Sequence, residues 1–275
     1  MMRRMGAVCG LALVAAAAGP APAAAQATVG ADVGLLSAYV WRGLTFSNKP
    51  VIQPDLWVNV SGLTVGGWLS IEPGTYNGTN DLSEGGGVGS GVREFDGWVE
   101  YGRTTANVTW KGGWIIYVFD MNDAGFTKQF DTHEFYGQVS VGGLPITPTL
   151  YASYDVDKVK GAYIQPSLTY GVKASPLVTI NLGALAGISA GQAANPADAS
   201  FNFLKNGLTH VDLSASTSIA AGSVSIAPSV HVQISHDRLT KINGAELKNQ
   251  DKGAKFWAGV SLSWSHALSS SKKAQ

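Results

Sequence analysis

Apolar and polar residues alternate with a period of two along most of the chain after residue 28. One segment shows the pattern clearly, with Val224, Ile226, Val230, Val232 and Ile234 alternating with Ser225, Ser229, His231, Gln233 and Ser235. Successive side chains of a β-strand point to opposite faces, so this pattern predicts strands with one apolar and one polar face, and it does not fit a helical period. The repeated alternation therefore predicts an all-β fold.

The alternation places twelve strands at 29–42, 49–61, 62–72, 93–103, 106–119, 132–142, 146–157, 161–173, 177–189, 208–219, 223–236 and 254–265. Many of them are near the 9–11 residues that a tilted strand needs to cross a bilayer. Short connections such as Ser61-Gly62 alternate with mostly longer ones such as 73–92. This asymmetry and an even strand count are typical of outer-membrane barrels. We therefore predict a transmembrane antiparallel up-and-down β-barrel of about twelve strands.

Charge is scarce on the polar face of these strands. Asp, Glu, Lys and Arg make up 14% of the chain, against about 25% in soluble domains. A soluble barrel or sandwich would turn its polar face to water and carry more charge there. The low charge favours the membrane barrel, and a soluble exported β domain remains the alternative fold.

Aromatic side chains cluster towards the predicted strand ends, where the interfacial girdles of membrane proteins lie. The residues are Tyr39, Trp41, Trp57, Trp68, Trp98, Tyr101, Tyr154, Phe256 and Trp264. In the predicted register Trp57, Trp68 and Trp98 fall on the polar face. The others are expected near the headgroups.

The N-terminus has the layout of a secretory signal peptide. MMRR is followed by a short apolar run, Val8 to Ala18, and by small residues that suit a signal peptidase. We predict a signal peptide over 1–25 (cleavage possibly at 27), a barrel over 28–266 and a polar tail over 267–275. Cys9, the only cysteine, would leave with the signal. Export and a membrane barrel together predict the outer membrane of a Gram-negative bacterium.

The first predicted hairpin carries a recognisable motif. It has the form S-x-Y-x-x-R-G followed by S-N-K-P-x-x-Q, with Ser37, Tyr39, Arg42, Gly43, Ser47, Asn48, Lys49, Pro50 and Gln53 at the fixed positions. This stretch resembles the first hairpin of a proteobacterial family of outer-membrane porins, the TorF type. The resemblance implies an outer-membrane location and a channel role. The chain departs from the usual barrel end, because it continues after Trp264 instead of stopping at an aromatic residue.

Inside a barrel, the polar face would line the lumen. The candidate pore-lining residues are Arg42, Lys49, Asp55, Glu72, Glu94, Asp96, Glu100, Lys111, Glu134, Asp155 and Asp212, with Asp32, Asp157 and Lys173 on the same face. Acids outnumber bases, so the lumen field would favour cations. Many of these charges could instead pair with one another inside a mostly filled barrel.

Arg42 comes directly after Tyr39-Val40-Trp41, in a stretch that otherwise looks like core. The alternation places Tyr39 and Trp41 on the lipid side near the outer headgroups. Arg42 then turns inward at the rim, where it could pair with lumen carboxylates, and Gly43 lets the chain bend into a loop that ends at Asn48. We predict a structural or mouth-lining role for Arg42.

Other function classes find little support. A lipid hydrolase would need a nucleophile and a histidine facing the bilayer, and the predicted lipid face has only His133 near a strand end. The zero formal net charge gives no reason to expect a nucleic-acid partner, and loop 73–92 lacks the spacing of a calcium loop. We predict no enzyme, cofactor or metal. The prediction is a porin for passive diffusion of small hydrophilic solutes, in contact with the lipid bilayer and possibly homo-oligomeric. The alternatives are a non-conducting barrel that acts as an adhesin or scaffold through long outer loops, or the soluble β domain.

Overall fold

A computed structural model describes residues 27–74, 91–119, 131–192, 206–235, 241–242, 245–246 and 253–268. Twelve strands form one closed antiparallel barrel in the order β1-β16-β13-β12-β11-β10-β9-β8-β7-β6-β5-β4. They are β1 (Ala27–Leu36), β4 (Val51–Val60), β5 (Leu63–Glu72), β6 (Gly91–Thr105), β7 (Val108–Phe119), β8 (Thr132–Val141), β9 (Ile146–Asp155), β10 (Ala162–Lys173), β11 (Val178–Ala190), β12 (Gly207–Ala221), β13 (Val224–Ser235) and β16 (Gly253–Leu268). The predicted barrel of about twelve strands is confirmed.

Two small hairpins lie outside the barrel order. One pairs β2 (Tyr39–Trp41) with β3 (Leu44–Ser47), and the other pairs β14 (Lys241–Ile242) with β15 (Ala245–Glu246). Within the described ranges, no helix is long and apolar enough to cross a membrane. The predicted signal peptide lies outside the described residues, as do loop residues 75–90 and the end of the tail.

The barrel wall has an apolar outer face and a polar inner face, as the alternation predicted. Large apolar side chains such as Leu56, Leu150, Leu213 and Phe256 are exposed on the outside. Polar and charged side chains alternate with them and are buried inside the barrel. A band of exposed leucine, valine and aromatic side chains around a closed sheet is the surface that lipid tails accept, and closure pairs every strand edge.

The connections differ in length between the two ends of the barrel. The short-turn end has tight turns such as Ser61-Gly62, whose positive φ angles of 51° and 94° suit a two-residue hairpin. The turn predicted at Thr104-Thr105 is instead formed by Ala106 and Asn107, since β6 extends through Thr105. The other end, here called the long-connection end, joins β1 to β4, β5 to β6 and β7 to β8 through much longer segments.

The first predicted strand and loop are wrong in one respect that matters for the site. The chain leaves the wall after Leu36 and re-enters it at Val51, two residues that pair with each other. The segment between them folds into the lumen as an inner hairpin, Tyr39–Ser47, instead of an outer loop. Tyr39 is 4% exposed and packs inside the barrel, so its predicted place in the lipid-facing girdle is wrong. Alternation alone could not reveal this, because β2 continues the period of β1.

Candidate channel constriction

The inner hairpin crosses the barrel at the long-connection end. Its base lies between β1 and β4, and its tip is Arg42-Gly43. In the closed strand order β9 is six strands from β1 in either direction, so it lies on the opposite wall. Arg42 reaches that wall, where it contacts Glu134 on β8 and Ser153 on β9. The hairpin therefore spans the full width of the lumen.

Arg42 ends in a dense set of contacts. Its guanidinium donates two hydrogen bonds of 2.7 Å each to the two oxygens of Glu134 and one of 3.0 Å to Ser153 Oγ. A longer bond of 3.4 Å goes to the Tyr151 hydroxyl. The Tyr117 hydroxyl donates to Glu134 Oε2 at 3.0 Å. Two parallel charge-assisted bonds to one carboxylate are the strongest geometry open to an arginine.

Aromatic rings cover the faces of the same guanidinium. Its carbon lies 4.2 Å from the ring centre of Trp41 and 4.4 Å from that of Tyr163, distances at which ring and cation attract. Burial alone disfavours the charge on Arg42, but the Glu134 carboxylate, with Tyr117 and Tyr151 nearby, raises the pKa of Arg42 well above its usual value. Arg42 is therefore a permanently charged residue inside the lumen.

A second set of bonds holds the tip through its backbone. The Gly43 carbonyl accepts hydrogen bonds from Gln233 Nε2 at 3.1 Å and from Ser235 Oγ at 3.0 Å, both on β13. Gly43 has φ 90°, and a Cβ there would lie 2.7 Å from His210 Nδ1. Only glycine fits this turn, because any side chain would be strained in conformation and would meet the His210 ring.

The arms of the inner hairpin are packed against the wall on one side. Phe46 lies between Tyr39, at 5.1 Å, and Trp41, at 5.6 Å between ring centres, and stacks at 6.2 Å on Phe119. On another side Lys255 Nζ donates to Thr45 Oγ1 at 2.7 Å. The buried apolar cluster of the protein is centred on this hairpin, so the barrel has its hydrophobic core inside the lumen at one level.

Most of the predicted lumen charges are buried and paired. Arg42 pairs with Glu134, Lys111 lies 3.0 Å from Glu100, and His231 Nδ1 lies 3.1 Å from Asp212. Glu72 pairs with Arg93 at 3.2 Å. Asp155 accepts three backbone N–H bonds from residues 157, 159 and 160 and a hydroxyl bond from Thr132. The Glu72–Arg93 pair lowers the acidic excess by one charge, because Arg93 was not among the predicted lumen bases. Arg42 and Lys111 neutralise their partners locally without changing the count.

Two predicted lumen acids lie close together on one strand. Glu94 and Asp96, both on β6, are buried at 3% and 1% exposure, and no lysine or arginine in the described part of the chain forms an ion pair with either of them. Asp55 is buried on β4, two strands from Asp96 in the register Asp55–Trp68–Asp96. Lys49 is exposed just before β4. Whether these residues line a conducting pore stays a prediction.

Glycines and aromatic rings pair along the inner wall. Trp57 lies over Gly30, Trp98 over Gly66, Tyr136 over Gly113 and His210 over Gly187, each ring against its cross-strand neighbour. A Cβ on any of these four glycines would collide with the ring. The missing side chain lets the ring lie along the wall instead of pointing across the lumen, a device that also fixes strand register.

Two inner residues, Arg93 and Thr209, were missed because the period of two breaks near them. A register shift between Ser70 and Ile71, opposite the start of β6, brings both Arg93 and Glu94 into the interior. A second shift, between Gly187 and Ile188, does the same for Thr209 and His210 on β12. Bulges place consecutive residues on one face. The sequence carries no clear signal for either.

Comparisons with known proteins place the chain in a family. A family model described as "Bacterial protein of unknown function (Gcw_chp)" matches residues 20–241. The TorF-type label suggested by the motif stays a prediction. No curated protein matches.

Several solved structures have similar folds. They include the KdgM porin, 8% identical with a TM-score of 0.45, covering 86% of this chain and 98% of that one. The COG4313 outer membrane channel from Pseudomonas putida F1 is 10% identical with a TM-score of 0.46, covering 89% and 97%. LpxR from Salmonella typhimurium is 8% identical with a TM-score of 0.44, covering 86% and 99%. Similarities at this level say nothing about what this barrel binds or conducts.

Proposed function

The chain belongs to the Gcw_chp family of bacterial proteins of unknown function, and we propose that it is a non-enzymatic outer-membrane channel for passive diffusion of small hydrophilic solutes. The observation that supports this best is the inner wall itself. It is largely polar, and four of its rings, Trp57, Trp98, Tyr136 and His210, lie against inner glycines instead of crossing the lumen. These ring-and-glycine pairs keep the wall thin, which leaves more room inside the barrel than rings pointing across the lumen would.

The inner hairpin would set the narrowest point of this channel. It crosses the lumen at one level and contacts several strands around the wall, including β7, β8, β9, β12 and β13. Solutes would pass through the space beside the hairpin, or through the lumen after the hairpin has moved towards the wall. Its anchors at the tip are side-chain contacts with the inner wall and lie outside the strand ladders, so a local rearrangement of the hairpin would change the bore without opening the barrel.

Recording conductance after reconstitution into planar bilayers tests the channel. The wild type is compared with a variant in which residues 37–50 are replaced by a short Asn-Gly turn, which the pairing of Leu36 with Val51 makes possible. We expect discrete channels in both and a larger unit conductance in the variant. Folding is verified by heat-modifiable gel migration. Two folded barrels that conduct no current would overturn the channel function.

The second candidate is a non-conducting barrel that presents its long connections to a partner as an adhesin or scaffold. The observation that favours it is the filled cross-section at the level of the inner hairpin, with Arg42 6% exposed. Shortening the connections between β5 and β6 or between β11 and β12 distinguishes the scaffold from the channel. Lost attachment to a surface with unchanged permeability would support the scaffold.

We also propose a mild preference for cations, because acids outnumber bases among the residues predicted to line the lumen. Export would use cleavage of residues 1–25 or 1–27. N-terminal sequencing of the protein from outer membranes should therefore begin at Gln26 or Thr28, and light scattering in detergent would report the oligomeric state.

A further inference from the structure

We propose that the pocket around the Arg42 guanidinium is a binding site for solutes that carry a guanidinium group, and that Arg42 occupies it in their place. The guanidinium box, as we call it, consists of Glu134, Ser153, Tyr117, Tyr151 and Tyr163. In this view the inner hairpin is an internal competitor that keeps the constriction closed. The inference depends on the proposed channel only for access of the solute to the lumen.

The first reason is that the box belongs to the wall. Tyr117 is on β7, Glu134 on β8, Tyr151 and Ser153 on β9, and Tyr163 on β10, four consecutive strands of the closed barrel. None of these residues is part of the inner hairpin. If the hairpin moves, the box keeps its shape, because the strand ladders hold it.

The second reason is the chemistry of the box. A guanidinium is planar and has N–H donors along its edge and two weakly hydrated faces. The box offers a carboxylate for the edge, at 2.7 Å to both nitrogens, and a hydroxyl at 3.0 Å beside it. Tyr163 covers one face at 4.4 Å. An ammonium ion has no plane to stack and no parallel donors, so the box should discriminate against it.

The third reason is the cost of an empty box. Glu134 is 2% exposed and has Arg42 as its cation. When the hairpin leaves, this carboxylate keeps the Tyr117 hydrogen bond but loses its cation, and a partly desolvated charge without a counter-charge is unfavourable. A solute guanidinium would compensate for that charge and would stabilise the displaced position of the hairpin. Free arginine and arginine-containing peptides are the solute class that fits.

Chemical rescue tests the proposal. Arg42→Ala empties the box and keeps the hairpin, while Arg42→Ala with Glu134→Gln also removes the carboxylate. Each variant is reconstituted and titrated with ethylguanidinium chloride and, as the matched control, ethylammonium chloride at equal ionic strength. The unit current and the midpoint of thermal unfolding are both recorded.

We expect ethylguanidinium to reduce the current and raise the unfolding midpoint of Arg42→Ala at concentrations about tenfold lower than ethylammonium, a difference of the size that charged bidentate hydrogen bonds give. The double variant should show no such preference. The wild type should need more ethylguanidinium than Arg42→Ala, since its own arginine competes.

A folded, conducting Arg42→Ala barrel that treats the two cations alike would overturn the site and leave the channel function intact. The site would also be overturned if the double variant preferred ethylguanidinium over ethylammonium as strongly as Arg42→Ala does. If Arg42→Ala does not fold, the variant with residues 37–50 replaced keeps the whole box and is titrated by thermal unfolding instead. Failure of both variants to fold in either cation would also contradict the proposal, which requires a box that is stable without Arg42.

Discussion

Arg42 and Glu134 are 92 residues apart in the chain and are joined by two hydrogen bonds of 2.7 Å across the width of the barrel. This pair connects the tip of the inner hairpin to the wall opposite its base. It turns a segment that could have been an outer loop into one that crosses the lumen.

Loss of either partner should destabilise the barrel. Removing one member of a buried ion pair leaves the other charge without compensation and costs about 3–5 kcal/mol. We expect the free energy of unfolding in detergent to fall in the order wild type, Arg42→Lys, Arg42→Ala, because lysine keeps the charge but cannot form the parallel bonds.

The double variant Arg42→Met with Glu134→Leu provides the control for that series, since replacing both partners by apolar residues removes the charge problem. It should recover most of the loss. Lys158 is exposed and serves as the reference position. Lys158→Ala should change the free energy of unfolding by less than about 0.5 kcal/mol. If Arg42→Ala changes neither assembly nor ion selectivity, our assignment of Arg42 is wrong.

Ion selectivity should depend on Glu94 and Asp96 more than on the paired acids. We expect Glu94→Gln with Asp96→Asn to lower the cation-to-anion permeability ratio, measured from reversal potentials in a salt gradient. The matched control is Glu100→Gln with Lys111→Met, which removes one charge of each sign and should leave the ratio nearly unchanged. The reverse ranking would refute the assignment of selectivity to Glu94 and Asp96.

Gly66 should be replaceable only together with Trp98. A Cβ at Gly66 would collide with the Trp98 ring, so Gly66→Ala should push the ring into the lumen, lower the unit conductance and cost about 1–3 kcal/mol in stability. Gly66→Ala with Trp98→Ala should restore conductance, with a small backbone adjustment at the Leu56 carbonyl, which would lie 2.9 Å from the new Cβ. Gly112→Ala is the control, because its nearest atom would be at 3.4 Å on the opposite, outer face.

A charged side chain on the outer face, halfway along a strand, should impair folding of the barrel into a bilayer. Leu213 lies near the middle of β12 and is 51% exposed on the outside, where arginine near the bilayer midplane costs about 2–4 kcal/mol. We expect Leu213→Arg to impair folding into vesicles and Leu213→Ala to fold normally. Equal folding of the two variants without lipid or detergent would favour a soluble β domain.

The barrel was largely predictable from the sequence because its two faces meet different environments. Each inward side chain, such as Asp55 or Glu100, is followed by an outward one such as Leu56 or Tyr101, so one register assigns both faces of a strand. The first strand ends at Leu36 instead of residue 42, and the ends of the other eleven were predicted within three residues. The last strand, β16, extends to Leu268, two residues past the predicted barrel boundary.

The candidate site was predictable only in part. Glu72, Glu100, Lys111 and Glu134 are buried inside the barrel, on the face that alternation assigns to the lumen, and their role in a pore stays a prediction. Their partners were not identified, because pairs such as Arg42 with Glu134 depend on which strands meet across the lumen. Arg93 and Thr209 were missed because bulges shift the period beside them.

The sequence by itself determined that this chain closes into a membrane barrel, since a strand period, an apolar outer face and the scarcity of charge leave few other ways to satisfy the backbone. Only the tertiary structure decided where Tyr39, Arg42 and Gly43 go. Alternation shows only which side of its own strand a residue faces. The same alternating pattern results whether the next strand continues the wall or turns into the lumen. The direction was decided by contacts with distant residues: Glu134 and Ser153 for Arg42, and Gln233 and Ser235 for Gly43.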